Sequence, residues 1–253
     1  MIKEFSLHHG KSIGGKVNRI TAVVPTRAGS ERVKSKNTRP FAEKSLLEYK
    51  LLTLIKLQET GLIDDIVVNS DCEESAMIAE QYDVRFIERE SGLASSDAPI
   101  TSYWRDVLMN TNTEHSMLCQ CTSPLITYDT YIDAIKSYNG KSLISVDEVK
   151  DYIWKGGLSL NYDWPNHPKS QDLSEKFYKL NFGIVIISKE EFNKYNNIKT
   201  PSSDLFSIPI DERLDIDNMI EFELAESYYE NILLFSGIYL DVGSTRSSCI
   251  LSS

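Results

Sequence analysis

The sequence predicts an α/β domain, a mostly parallel sheet with helices on both faces. From Ile20 to Val149, short apolar runs rich in Val and Ile alternate with stretches of helical spacing, the rhythm of βαβ units. The runs are continuously apolar rather than alternating, as strands covered on both faces require. At 253 residues, 41% of them hydrophobic and 25% charged, the chain holds enough apolar material for one large core.

The elements follow in order. "ITAVVP" (Ile20 to Pro25) is a buried strand that ends where Pro25 removes a donor. "SLLEYKLLTLIKLQETG" places Leu47, Leu51, Leu54 and Ile55 on one helical face, with Ser45 as N-cap and Gly61 as stop. "DDIVVNSD" is a strand, "EESAMIAEQY" a helix and "VRFIE" a strand. "ITSYWRDVLMN" is a helix opened by Ser96, Asp97 and Pro99. "HSMLCQ" is a strand, "TYDTYIDAIKSY" a helix and "KSLISVDEV" a strand. Between about residues 150 and 179 the rhythm breaks into an aromatic stretch with Trp154, Trp164 and several tyrosines, too aromatic for a disordered linker. This reads as an excursion that packs on something, a second subunit being one answer. "FGIVIIS" resumes as a strand, and "NMIEFELAESYYENILL" is the closing helix. The divisions expected are an N-terminal extension (1–18), the main domain (19–230) and a Ser-rich C-terminal tail (231–253).

Net charge is −10, which argues against a nucleic-acid-binding surface. No stretch approaches the ~18 apolar residues of a membrane span. The first nineteen residues lack the apolar centre of a signal peptide, and Cys72, Cys119, Cys121 and Cys249 show no paired spacing. The expectation is a cytoplasmic protein with reduced thiols, Cys119 and Cys121 serving as core.

Against that acidic background, "VVPTRAGSERVKSKN" and the residues just after it gather Arg27, Arg32, Lys34, Lys36 and Arg39 against one acid, Glu31. The loop leaves the end of the first strand, where open α/β sheets bind ligands. Gly29 allows close backbone approach, Ser30 adds a hydroxyl, and the cations suit phosphate. A solvated loop whose cations merely cluster is the alternative. The phosphate loops of known pattern are absent: there is no GxGxxG, and "GKSIGGKV" has Val17 where Ser or Thr is needed.

These residues resemble the N-terminal signature of the acylneuraminate cytidylyltransferases, the CMP-sialic acid synthetases. Arg27, Ser30, Lys36 and Asn37 match it without gaps. The resemblance runs over roughly residues 19 to 230. "IVVNSD" is similar to the family's second strand and "RESGLASSDA" to its cytosine-binding segment, which implies Arg89 and Ala98 at the base. "QCTSPLIT" resembles the sugar-contacting motif led by Gln120, and "LDIDNMIEFELAE" the closing Asp-Ile-Asp motif with Asp215 and Asp217 on Mg²⁺. The implied fold is a Rossmann-like nucleotidyltransferase with a dimerisation excursion. The implied reaction joins CTP to a 2-keto-3-deoxy sugar acid, giving a CMP-sugar and pyrophosphate. The resemblance implies catalytic roles for Arg27, Lys36, Asp215 and Asp217, and sugar contacts from Gln120, Lys155 and Asn181. It implies a homodimer and a place in making a surface glycan.

Physical readings stand beside it. Two carboxylates at i and i+2 in extended chain share a face, which suits a hard cation; alternatively Asp217 caps the last helix. Gln120 offers a donor and an acceptor at a strand end, or is a satisfied strand-end residue. Lys155 matches by spacing from "ISVDEV", or is a solvated lysine. Asn181 precedes Phe182 and Gly183 where the family has Asn-Gly. Asp71, ending a strand, is either structural or a minor site residue. Glu31 stands where many members carry Lys, Cys121 where Pro is usual, Ile126 where Arg is frequent, and Ile186 lies where some sialate-specific members have Tyr nearby. The nucleotide half is thus largely intact and the sugar half altered. A Kdo or amino-Kdo cytidylyltransferase is the neighbouring reading, and a non-catalytic sugar- or nucleotide-binding homologue the reading from another class.

Overall fold

The computed structural model describes residues 18–29, 32–94, 98–173 and 175–236. Ser30, Glu31, Ser96 and Asp97, most of the N-terminal extension and the tail beyond Ser236 lie outside the described residues.

The first apolar run forms β1 (Ile20–Pro25), and a short hairpin follows, β2 (Pro40–Phe41) with β3 (Lys44–Ser45). Helix α1 (Leu46–Glu59) begins at a capping box. Ser45 accepts from the Glu48 amide while Glu48 accepts from the Ser45 amide, satisfying two donors that the first turn would otherwise leave bare. Then come β4 (Asp65–Ser70), α2 (Glu73–Gln81), β5 (Arg85–Glu88), the single turn α3 (Ser91–Ala94), α4 (Ile100–Met109) and β6 (His115–Cys119). Helix α4 starts after Pro99 without a side-chain cap. Next are α5 (Tyr128–Ser137), β7 (Ser142–Val149), β8 (Trp154–Lys155), β9 (Leu158–Ser159), β10 (Phe177–Ser188), α6 (Lys189–Tyr195), β11 (Ser203–Ser207) and α7 (Met219–Ser236).

One seven-stranded sheet runs in the order β11-β7-β10-β6-β1-β4-β5. All its pairings are parallel except those of β10, which is antiparallel to both β6 and β7. Helices cover both faces, as β1 itself shows. Ile20, Ala22 and Val24 join the cluster under α1, α2, α5 and α7, while Val23 joins the opposite one with Val107 and Leu108 of α4 and Phe192 of α6.

The aromatic excursion folds as the β8–β9 hairpin and two short 3₁₀ turns, and it ends at residue 176 rather than 179, because Phe177 opens β10. Trp154, Leu158 and Trp164 on it are 49%, 68% and 62% exposed. The closing helix continues through Ser236, past the expected start of the tail. Among the described residues no helix is long and apolar enough to cross a membrane.

Candidate active site

Strands β5, β4, β1 and β6 run in one direction, so their carboxyl ends share one edge of the sheet. Arg27, Asp71, Arg89 and Gln120 each follow one of those ends within two residues. That edge is where α/β sheets hold ligands.

The basic loop is fastened to this edge. The Thr26 amide donates to the Asn69 carbonyl (3.0 Å), and the Thr26 hydroxyl to Ser75 Oγ (2.9 Å). Asp71 Oδ1 accepts from the Ala28 amide (3.0 Å), which gives Asp71 a structural part in shaping the loop. Ser35 adopts a left-handed φ of 53°, and its carbonyl accepts from the amides of Thr38 and Arg39, turning the chain sharply. Of the five cations, two reach the Asp215–Asp217 segment. Lys36 Nζ donates to the Ile216 carbonyl (2.5 Å), Arg32 Nη2 pairs with Asp217 Oδ1 (3.1 Å), and Arg27 lies close enough to act electrostatically on both Lys36 and Arg89. Arg39 instead stacks over Phe222 of α7, 5.0 Å from its ring centre, and Lys34 is exposed with no ion pair among the described residues.

Burial lowers the Lys36 pKa from its usual value, and the carboxylates of Asp217 and Asp215 oppose that shift. Burial raises the Asp215 pKa; a hydrogen bond from Thr122 opposes the rise and the neighbouring Asp217 adds to it. Asp217 does not cap the last helix. Asn218 does, accepting from the Glu221 amide (3.0 Å) while Glu221 accepts from the amides of Asn218 and Asp217. The Asp217 carboxylate is thereby left to face Arg32.

Among the described residues, only two buried side-chain polar atoms lack a hydrogen-bond partner, Asn37 Oδ1 and Asp215 Oδ1. Such atoms are costly unless something else meets them. Both belong to residues singled out from the sequence, and Lys36 joins their two segments. No group of three or more His, Cys, Asp or Glu gathers among the described residues. A pair of carboxylates, one with an unpartnered buried oxygen, still fits Mg²⁺, which takes one or two protein carboxylates and completes its shell with water and phosphate oxygens.

Arg89 is 3% exposed; its Nε and Nη2 donate to Asn69 (2.7 and 2.8 Å), and it sits over the Tyr103 ring. It lines a cavity of about 440 Å³ with Asp71, Glu88 and Glu90. Ala98, partly buried, stands just before α4. Gln120 leaves β6 with its amide near the Gly183 carbonyl (3.4 Å), its side chain half-buried. The Asn181 side chain is engaged within the sheet: it accepts from Ser145 and from the Gly183 amide (3.1 Å), and donates to Asp147 (2.7 Å). Phe182 beside it takes a positive φ of 55°, where β10 shifts register against β7. Lys155 is exposed on the β8–β9 hairpin, with no ion pair among the described residues. Cys119 and Cys121 are core, as expected; burial pushes both thiols up to about 12, so neither is a nucleophile at neutral pH. Arg32, Asn69 and Thr122 were not singled out as site residues. Arg32 was visible only as one of the loop's cations, and Asn69 and Thr122 only as members of the quoted motifs.

The family model described as Cytidylyltransferase matches residues 21–237. The chain is 29% identical over 228 residues to the CMP-N,N'-diacetyllegionaminic acid synthase of Legionella pneumophila, covering 84% of this chain and 97% of that one. It is 26% identical to the N-acylneuraminate cytidylyltransferase of Escherichia coli, over 82% of this chain and 51% of the longer relative. It is 25% identical to the pseudaminic acid cytidylyltransferase of Campylobacter jejuni, over 82% and 95%. Among solved structures, a CMP:2-keto-3-deoxy-manno-octonic acid synthetase complexed with CTP superposes with a TM-score of 0.61 at 12% identity, covering 85% of this chain and all of that one. A 4-diphosphocytidyl-2C-methyl-D-erythritol synthase from Anaerococcus prevotii superposes with a TM-score of 0.59 at 13% identity, over 85% and 97%. With the family's model spanning nearly all of the described sheet and helices, this chain belongs to the cytidylyltransferase family.

Proposed function

We propose that the protein joins CTP to a nonulosonic, sialic-acid-like sugar acid, giving the CMP-sugar and pyrophosphate. One observation carries the reading: the basic loop and the carboxylate pair meet through Lys36, and the described residues' two orphaned buried polar atoms lie on those two segments. The named relatives act on sugar acids of this kind.

In this reading Arg27, Ser30, Lys36 and Asn37 hold the triphosphate, and Arg89 with Ala98 flanks the cytosine. Gln120 meets the sugar, and Lys155 and Asn181 serve the same half, Asn181 by holding the β7–β10 junction. The anomeric hydroxyl oxygen bonds to the α-phosphorus as the bond to the β-phosphate bridging oxygen breaks, and the hydroxyl proton passes to solvent. Pyrophosphate leaves with its charge met by the loop cations. Asp215 and Asp217 would hold Mg²⁺, which would supply charge neutralisation at the α-phosphate and the departing pyrophosphate. Arg32, paired with Asp217 across from the loop, is a further cation for phosphate. The exposed tryptophans of the excursion meet a second copy, making a homodimer, and the enzyme works in the cytoplasm to supply surface-glycan synthesis.

The test is pyrophosphate release from CTP and Mg²⁺ over a panel of nonulosonic acids and Kdo. We expect turnover with one or more nonulosonic acids and little with Kdo. A preference for Kdo would move the assignment to the neighbouring branch, and no release with any sugar acid would sink it.

A further inference from the structure

Helix α1 turns Leu46, Leu47, Leu51, Leu54 and Leu57 to the core, and one charged residue shares that buried face. Lys50 is 3% exposed. Its ammonium donates to the Ser123 carbonyl (3.0 Å) and to Tyr131 Oη (2.8 Å), and lies 5.0 Å from the Tyr131 ring centre. It makes no ion pair among the described residues. Burying an ammonium with no carboxylate at contact is costly, and a leucine at position 50 would complete the apolar stripe. A leucine, however, could not hold a carbonyl.

What Lys50 holds is the segment from Gln120 to Thr127, between β6 and α5. The same segment is gripped elsewhere. Glu212 accepts from the Thr127 amide (3.0 Å) and hydroxyl (2.9 Å), and the Ile216 amide donates to the Thr122 carbonyl (2.8 Å). Gly183 passes so close that a Cβ there would meet Ser123 Oγ at 3.2 Å. Lys50 and Glu212 thus hold the segment at Ser123 and Thr127. Between Gln120 and Ser123, the Thr122 carbonyl is the group that the Ile216 amide holds.

We propose that Lys50 is a positioning residue for the sugar-acid half of the site. Without touching substrate, it fixes Ser123 and so sets where Gln120 stands. The inference rests on the cytidylyl-transfer reading above. It predicts that loss of the Lys50–Ser123 bond is felt by the sugar acid and not by CTP, whose loop and base contacts lie on β1, β4 and β5.

The experiment is steady-state pyrophosphate release by the full chain, with CTP, Mg²⁺ and the nonulosonic acid the wild type accepts, alongside thermal melting. Lys50→Met removes the bond to Ser123. Tyr131→Phe removes the lysine's other partner and leaves that bond in place. We expect Lys50→Met to raise the sugar KM about tenfold or more and to lower kcat, with the CTP KM changed less than about twofold. Tyr131→Phe should lower the melting temperature and leave both KM values near wild type. Lys50→Gln, which keeps an N–H donor, should recover part of the sugar KM. Where Lys50→Met is insoluble, Lys50→Leu completes the stripe and is read in its place. An unchanged sugar KM in the Met or Leu variant overturns the proposal. So does a shift of both substrates' KM in step with the melting temperature, as a purely structural role requires. A wild type that releases no pyrophosphate with any sugar acid overturns this proposal together with the reading it rests on.

Discussion

The two halves of the site edge are built differently. Around the proposed nucleotide half, the loop after β1 is tied by its backbone to β4 and Asp71 and by Thr26 to Ser75 of α2, and Arg89 is buried on Asn69. Its groups are held in place by the single chain. The excursion on the other half has a small interior of its own. Asn161, 1% exposed, bonds Asp151 and Ile153 across the hairpin, and Trp154 Nε1 donates to Tyr162 Oη (2.8 Å). Yet its largest apolar side chains face outward. A preorganised phosphate and base site suits a substrate common to many enzymes, whereas an apolar surface left bare on one chain asks for a neighbour. Among the described residues, the proposed nucleotide half is tied within one chain, whereas the excursion leaves its large apolar side chains bare.

The largest expected effect breaks the link between the halves. Asp215→Asn removes the buried carboxylate on which the proposed Mg²⁺ site depends. Turnover should fall about 10²–10³-fold at saturating Mg²⁺ while CTP still binds through the loop. In EDTA the same variant should melt at the wild-type temperature or above it, because it no longer buries an unmet charge. Wild-type turnover in that variant would place the metal elsewhere. Lys36→Ala comes next, with a loss of about 10²-fold, since it removes both a phosphate cation and the bond to Ile216 that brings the halves together. Near-normal activity would show that the loop does not cradle the triphosphate.

A third variant acts on the sugar half alone. Trp154→Ser with Trp164→Ser should shift the mass measured by light scattering from dimer to monomer and raise the sugar KM, leaving the CTP KM in place. A monomeric wild type would remove the basis of the comparison.

The sequence was most informative where an apolar run meets a cap or a stop. β1, β4, β6, β7 and α1 lie where the apolar runs and the Ser45 cap place them. A buried strand reads the same in either direction, so the reversed course of β10 was hidden in "FGIVIIS". β11 was missed because "SDLFS" is half exposed and neither fully apolar nor clearly alternating. The candidate residues on the loop and in Asp-Ile-Asp, which the Lys36–Ile216 bond brings together, could be picked from the sequence because both motifs are short and local. The Arg89–Asn69 contact joins residues of adjacent strands, and no local pattern announces it. The cap on α7 is also local: Asn218 with Glu221 three residues on is a capping pair. Lys50 was visible too, as a cation within a leucine stripe.

The smallest effect tests whether the sugar half is as tightly fitted inside as it is bare outside. Ile126, where the family often carries Arg, is 4% exposed and packs against Gly183 of β10. A Cβ at position 183 would stand 2.6 Å from Ile126 Cδ1 and 3.2 Å from Ser123 Oγ. Gly183→Ala therefore overpacks the junction under the Gln120 segment and should cost about 1–3 kcal/mol of stability. Ile126→Val, which deletes that Cδ1, should cost about 0.5–1.5 kcal/mol alone through the space it leaves. Together the two should cost less than their sum, because the added methyl fills the space the other gives up. Recovery stays incomplete, since the Ser123 contact persists. The measurement is chemical denaturation of all four forms, with the KM for each substrate read in parallel. The CTP KM should stay level throughout, while the sugar KM rises in Gly183→Ala and returns toward wild type in the pair. Additive free energies across the cycle would show that Ile126 is not what an alanine at 183 meets, and that the junction yields where the geometry says it is full.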